Sequence, residues 1–131
     1  MHMQSNTLSI IIEKPLQEVY DFTTNPKNTP LRLPSIKEEQ SSDYPPKIHT
    51  VYKNCGADSA WNTYHIIEIL PYKTFVLSEV GWPYFVRYTY LALSPTSTKI
   101  TYTERVEDGE LTNPCEEELF IWLKGLLEHH Q

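Results

Sequence analysis

The chain of 131 residues has only four glycines and two cysteines, and both shortages exclude classes of site. Four glycines leave no Gly-rich loop of the kind that cradles a phosphate group. Cys55 and Cys115 show no Cys-x-x-Cys spacing, so they predict neither a disulfide framework nor a zinc site. The positions of His49 and His65 around Cys55 do not have the spacing of metal ligands either. We therefore expect no metal and no cofactor.

Positive charge and long apolar runs are also scarce. The chain has 11 Lys and Arg residues against 17 Asp and Glu residues, which gives a formal net charge of −6. An acidic chain is poorly suited to the phosphates of nucleic acids or to anionic membrane surfaces. No apolar run approaches the ~20 residues of a membrane span, and 10–12 is too short for a signal-peptide core. The expectation is a cytoplasmic protein with reduced thiols, no nucleic-acid or membrane partner, and an oligomeric state left open.

The apolar pattern predicts a single domain, residues 1–131, that begins with a strand followed by one or two helices. Apolar residues alternate over 8–12, which is typical of a strand. From Pro15 to Thr24 they are spaced for one helical face, while Pro30 and Pro34 weaken a second helix over 27–33. Strands with short turns, which indicate an antiparallel meander, are then expected over 36–40, 48–53, 61–70, 74–80, 84–93 and 99–106.

The clearest predicted element is a helix from Asn113 to His129. Asn113 takes the N-cap position, with Pro114 and Glu116 at the first and third helical positions. The helix has a wide apolar stripe, which we expect to pack across the concave side of the sheet. The stripe consists of Leu119, Trp122, Leu123, Leu126 and Leu127.

Two segments carry a resemblance to a known superfamily. Residues 10–22 give an apolar strand, a proline and a helix with Val19-Tyr20-Asp21-Phe22, and Asn25-Pro26 follows. Residues 67–75 give a strand, a turn and a second strand led by Phe75, ahead of the hairpin and the terminal helix. This order resembles the START-like, or SRPBCC, superfamily, which includes polyketide cyclase-like proteins. The resemblance implies an α+β helix-grip fold, in which a curved antiparallel sheet of about six to seven strands wraps around the long C-terminal helix, with one or two short helices after the first strand.

The resemblance also implies a class of function. Members of the superfamily bind lipids, sterols, polyketides or other apolar molecules in a cavity between sheet and helix, and some catalyse cyclisation or dehydration. Because one fold hosts many functions, the residues of the site must decide between them.

Aromatic residues give the candidate ligand site. In the predicted hairpin, Tyr88 and Tyr90 share one face of a strand, and Tyr102 and Glu104 share one face of the next. If these faces are concave, tyrosine hydroxyls and a carboxylate are the few polar groups of an apolar pocket, as in most ligand sites. The alternative is that the tyrosines pack the sheet and their hydroxyls reach water. The predicted ligand-binding residues are Trp61, His65, Tyr88, Tyr90, Tyr102, Glu104 and Trp122.

Three functions are compatible with these residues. The preferred one is a non-catalytic carrier or sensor of a small apolar or aromatic molecule, because no nucleophile–base or carboxylate pair can be placed. The alternative is an aromatase/cyclase- or dehydratase-like enzyme, with His65 or Glu104 as general acid or base. A protein-interaction domain is the second alternative. Arg87, the candidate cation inside a long strand, is expected to form an outward ion pair, so neutral rings should bind better than anionic compounds.

Overall fold

The computed structural model of the protein describes residues 3–111 and 114–129. Asn113, the predicted N-cap of the terminal helix, lies outside these residues. The elements in chain order are β1 (Gln4–Ile12), α1 (Leu16–Thr24), a 3-10 turn (Pro26–Asn28), α2 (Thr29–Arg32), β2 (Glu38–Ser41), β3 (Val51–Cys55), β4 (Trp61–Leu70), β5 (Thr74–Glu79), β6 (Tyr84–Ser94), β7 (Ser97–Val106) and α3 (Glu117–His129).

The strands form one 7-stranded sheet in the order β1-β7-β6-β5-β4-β3-β2. Each neighbouring pair is antiparallel, as predicted. The register places Phe75, Tyr88 and Tyr102 side by side on β5, β6 and β7. The pairing of β4 with β5 shifts between Ile66 and Glu68, and bulges of this kind bend a strand and increase its twist. The predicted α+β architecture, with a curved sheet and a C-terminal helix, is confirmed.

The two faces of the sheet carry different side chains. Along β7, from Thr98 to Val106, every second residue is buried, which is the pattern of a sheet with one face against a core. On the outer face, Arg87 pairs with Glu68 at 2.8 Å between Nη1 and Oε2. Arg87 therefore forms the outward ion pair that was expected, and it does not reach the interior.

Helices α1 and α3 pack against the inner face of the sheet. Among the described residues, no helix is long and apolar enough to cross a membrane. The buried side chains of both helices join those of the strands in one core, so the inner face is covered along much of its length. This core consists of Ile12, Val19, Tyr20, Phe75, Val86, Tyr88, Tyr90, Ile100, Tyr102, Phe120, Leu123 and Leu127.

The terminal helix differs from the prediction at its start and in its buried face. It begins at Glu117, because the preceding segment is held on the sheet by the backbone N–H of Cys115, which donates to Glu104. Phe120 is buried, whereas Trp122 is 50% exposed. The buried face is therefore rotated relative to the predicted stripe, and Trp122 turns toward α2.

The proline-rich segment after α1 folds into the 3-10 turn and the short helix α2. Pro30 lies in the first turn of α2, where its missing N–H costs nothing. Thr29 and Arg32 of α2 are buried. The indole Nε1 of Trp122 donates to the carbonyl oxygen of Leu31 at 2.7 Å, which ties α2 to α3. The predicted second helix is thus present but short, and it covers one end of the inner face.

Candidate functional site: a tyrosine-lined cleft

The inner face of the sheet carries a row of packed aromatic rings beneath the helices. Tyr88 stacks on Phe75 with ring centroids 5.0 Å apart, and it meets Tyr102 edge-on at 5.2 Å. Tyr102 in turn lies 5.3 Å from Phe120 of α3. The strand register produces this row, because residues paired across neighbouring strands place their side chains on the same face.

Two spaces adjoin this row. A cavity of about 40 Å³ lies between α2, α3 and the sheet, and a cleft of about 190 Å³ opens beside it. Arg32, Leu33, Tyr88 and Tyr102 line both spaces, so we treat them as one site, the tyrosine cleft. The tyrosines that line it are Tyr52, Tyr64, Tyr84, Tyr88 and Tyr102.

Arg32 brings a positive charge into the tyrosine cleft. Its side chain is buried, with 8% of the residue exposed. Nη1 donates to the Tyr88 hydroxyl at 3.4 Å, and Nη2 donates to the carbonyl oxygen of Thr23 at 3.3 Å. The guanidinium also lies 5.7 Å from the centre of the Tyr88 ring. Its buried Nε–H has no hydrogen-bond partner.

Glu104 lies on the inner face with 3% of the residue exposed, and both its oxygens are engaged. Oε1 accepts a hydrogen bond from the Tyr84 hydroxyl at 2.6 Å. Oε2 accepts from the Asn6 amide at 2.8 Å and from the backbone N–H of Cys115 at 2.5 Å. Glu104 is therefore an anchor that joins β1, β6 and the segment before α3.

Burial keeps three phenols of the tyrosine cleft, those of Tyr64, Tyr84 and Tyr102, protonated by raising the pKa of each. Burial raises the pKa of Tyr64 to about 12. Burial likewise raises the pKa of Tyr84 and of Tyr102 well above the ordinary value. Neutral phenols can both donate and accept hydrogen bonds. The cleft thus combines aromatic walls, neutral hydroxyls and the Arg32 cation.

Comparison with known proteins shows the fold. No family model matches the chain, and no curated protein matches it in sequence. Among solved structures, norcoclaurine synthase from Thalictrum flavum, in complex with dopamine and hydroxybenzaldehyde, has a TM-score of 0.69 at 10% identity, over 99% of this chain and 89% of the other. Ara h 8.0201 has a TM-score of 0.72 at 13% identity, and the match covers 98% of this chain and 100% of Ara h 8.0201. The conserved protein of unknown function EF2215 from Enterococcus faecalis has a TM-score of 0.74 at 11% sequence identity, and the match covers 95% of this chain and 71% of that protein.

The chain has the helix-grip fold. All three neighbours have helix-grip, SRPBCC-type folds, so the fold that the resemblance implied is confirmed. At these identities the likeness concerns the fold alone. The cavity of about 40 Å³ lies between sheet and terminal helix, as expected, whereas the larger cleft opens beside α2 and β2 and has no described lining residue in α3.

Within this fold, four predicted ligand-site residues are buried on the inner face. Tyr88 and Tyr102 line the tyrosine cleft. Tyr90 lies further along β6 and faces α1, where its hydroxyl is 2.6 Å from the Thr23 hydroxyl. Glu104 is close by but serves the anchor described above. These four residues thus share the inner face, and their contact with a ligand stays a prediction.

Trp61, His65 and Trp122 lie outside the tyrosine cleft. Side chains alternate along β4, and Tyr64 points into the cleft, so Trp61 and His65 project from the outer face. Trp61 is 47% exposed. Trp122 contacts the end of α2 through its hydrogen bond to Leu31. The expected walls from the two tryptophans and the expected polar contact from His65 are thus not formed in the cleft.

Sequence reasoning missed Arg32. The residue lies in the proline-rich segment, where the pattern left the second helix weakly defined. One signal was available, because Arg32 stands between Leu31 and Leu33, which are flanked by Pro30 and Pro34. Arg87, the candidate cation of the strands, is paired on the outer face as expected, whereas Arg32 is a cation buried on the inner side.

Proposed function

We propose that this protein binds a small aromatic molecule in the tyrosine cleft, as a carrier or sensor. The observation that carries the proposal is the space itself, which adjoins the core and is walled by tyrosine rings. Aromatic surfaces gain by offset or edge-to-face contact with other rings, in addition to the burial of apolar area. Concave sites with apolar walls and a few polar groups are the usual form of small-molecule sites.

The volume of the cleft supports a ligand with a single ring. A protein cavity of about 150 Å³ is large enough to bind benzene. The cleft of about 190 Å³ therefore has room for one ring and a small substituent, but not for a sterol or a long acyl chain. The solved neighbour norcoclaurine synthase holds dopamine and hydroxybenzaldehyde, which are single-ring aromatics, and this agrees with the proposed class.

The positions of the two candidate acid–base residues favour binding over turnover. A general base must lie within hydrogen-bond reach of the substrate proton. Glu104 is 3% exposed and is not among the residues that line the cleft, and its oxygens already accept three hydrogen bonds from protein donors. His65 projects from the outer face of β4. Neither group therefore lines the space in which a ring would lie beside Tyr88 and Tyr102.

Ligand titration followed by amide NMR tests this proposal. Phenol, benzamide and benzoate are added separately, with oleate as an oversized probe. We expect at least one single-ring compound to shift amides of β5–β7 and α3 in a saturable manner, and oleate to leave them unchanged. If none of the single-ring compounds shifts these amides, the proposal is refuted.

Two neighbouring residues on β5 provide a matched pair of variants. Leu77 lines the cleft, whereas Ser78 follows it and points to the opposite face. Leu77→Trp should fill the cleft and abolish binding, while Ser78→Trp should leave binding unchanged. Both variants are checked for an intact fold by amide dispersion. Equal binding by both would place the ligand elsewhere.

A further inference from the structure

We infer that the ligand carries an anionic group, such as a carboxylate, and that this group binds the guanidinium of Arg32. The inference rests on the proposed function and specifies its ligand class. Arg32 lines both spaces of the tyrosine cleft, so a ring held there lies beside its side chain.

Arg32 forms no ion pair at contact distance. In the described ranges 3–111 and 114–129, no carboxylate oxygen lies within 4.0 Å of its nitrogens. Glu39 also lines the cleft and attracts the guanidinium at longer range, but its oxygens accept hydrogen bonds from Thr29 and Asn54. A buried charge is costly to desolvate, and a directly paired, hydrogen-bonded partner offsets that cost better than a distant one. An anionic ligand would supply the missing partner.

The donors of Arg32 are only partly used. A guanidinium has five N–H groups arranged as a planar fork. Here it makes two long hydrogen bonds, of 3.4 Å to Tyr88 and 3.3 Å to Thr23, both to neutral oxygens. The Nε–H is buried without a partner. A carboxylate matches the fork through two parallel hydrogen bonds, which a neutral amide reproduces only in part.

The rings around Arg32 suit an aromatic body attached to that carboxylate. The guanidinium lies over Tyr88, whose ring packs against Tyr102. Tyr64 and Tyr84 also line the cleft, and the Tyr84 hydroxyl, which donates to Glu104, can still accept a hydrogen bond from a polar substituent. A ligand with a carboxylate at one end and a ring in the middle would satisfy both ends of the site. Benzoate is the smallest such probe.

A matched pair of ligands separates charge recognition from ring binding. Benzoate and benzamide have nearly the same shape, and they differ in charge. A hydrogen bond to a charged group contributes about 1.5–3 kcal/mol, so benzoate should bind wild-type protein roughly ten- to hundredfold more tightly than benzamide. Calorimetry or NMR titration gives both dissociation constants.

Variants of two arginines identify the cation that is responsible. Arg32→Met keeps the length of the side chain and removes the charge, and it should abolish the preference for benzoate while benzamide still binds. Arg87→Met removes the outer-face cation and should leave the preference intact. In the absence of ligand, Arg32→Met should be at least as stable as wild type, because an unpaired buried cation is lost. A purely structural arginine would give the opposite result.

The outcomes distinguish this inference from the proposed function. If benzamide binds wild type as tightly as benzoate, or if the preference survives in Arg32→Met, the inference is refuted and ring binding stands. If neither compound nor phenol binds, the proposed function fails and the inference fails with it. Should Arg32→Met not fold, the ¹⁵Nε–H resonance of Arg32 in wild type decides the matter. Benzoate must shift it strongly, and an unchanged resonance at saturation overturns the inference.

Discussion

Removing the carboxylate of Glu104 should destabilise the protein, because three hydrogen-bond donors lose their acceptor. Glu104→Ala leaves the Tyr84 hydroxyl, the Asn6 amide and the N–H of Cys115 without their acceptor. Each unsatisfied buried donor costs about 1–3 kcal/mol. Tyr84 and Asn6 are only half-buried, so water can replace part of the loss. We therefore expect the free energy of unfolding to fall by about 2–4 kcal/mol, a large share of the 5–15 kcal/mol typical of a domain.

The matched control for this prediction is Glu104→Gln. Its amide oxygen can still accept from Asn6 and Cys115, and its amide nitrogen can donate to the Tyr84 hydroxyl, which then acts as acceptor. The geometry is kept and only the charge is lost, so the expected cost is below about 1.5 kcal/mol. Urea unfolding followed by tryptophan fluorescence measures both variants.

The two variants together test the role of Glu104 as an anchor. A network role requires Glu104→Ala to be clearly less stable than Glu104→Gln, with similar m-values for both. If the two variants lose the same stability, the charge matters and the hydrogen bonds do not. If Glu104→Ala loses less than about 1 kcal/mol, the unsatisfied donors have found other partners and the reasoning is refuted.

Three further predictions concern the terminal helix and its surroundings. Leu123 is 2% exposed, whereas Ile121 is exposed. In urea unfolding, Leu123→Ala should lower the free energy of unfolding by about 2–5 kcal/mol, and Ile121→Ala by less than about 0.5 kcal/mol. Equal losses in the two variants would contradict the packing of α3. Burial raises the pKa of the Cys115 thiol to about 11, so little of the reactive thiolate forms at pH 8. Iodoacetamide should therefore alkylate Cys115 at least about tenfold more slowly than it alkylates glutathione, as followed by mass spectrometry. Equal rates would contradict this prediction. A hydrogen bond from the backbone N–H of Glu13 lowers the pKa of the Glu128 carboxyl. The ionised carboxylate therefore stabilises the folded protein at pH values above the unfolded-state pKa, and this contribution is lost as pH falls through the lower folded-state pKa. Glu128→Gln should therefore be less stable than wild type by below about 1 kcal/mol at pH 7 and equal to it near pH 2; a difference that persists in acid would contradict the assignment.

The architecture was predictable because its signals are local and periodic. The alternation along β7 identifies a strand with one buried face, and the neighbouring strand β6 shows the same pattern. Short turns between such strands leave antiparallel pairing as the simple solution. The order of elements then matches the helix-grip arrangement. Helix ends were less predictable. The segment before α3 is held by a hydrogen bond from the backbone N–H of Cys115 to Glu104 of β7, and a contact between two elements cannot be read from a local sequence pattern.

The site was predictable only where residues share one strand face. Tyr88 and Tyr102 were grouped correctly, since alternation along a hairpin fixes which side chains lie together. His65 could not be placed, because both faces of β4 carry apolar and polar residues and its orientation depends on pairing with β3 and β5. Trp122 could not be placed either, since a small rotation of α3 decides whether position 120 or 122 is buried.

The hydroxyls of the inner face explain how an aromatic interior can be both rigid and ready for a ligand. Tyr52 donates to the carbonyl oxygen of Thr24 at 2.9 Å, and Tyr90 meets Thr23 at 2.6 Å, so these tyrosines hold the end of α1 on the sheet. A ring fixed at its hydroxyl has lost its rotamer freedom before any ligand arrives, and the entropic cost of binding is smaller for it. Arg32 differs from these groups, because its hydrogen bonds are long and its Nε–H has no partner in the described part of the chain. Tyr52 therefore helps to fix the wall of the cleft, whereas under the proposed function Arg32 is the group whose hydrogen bonding would change most on binding.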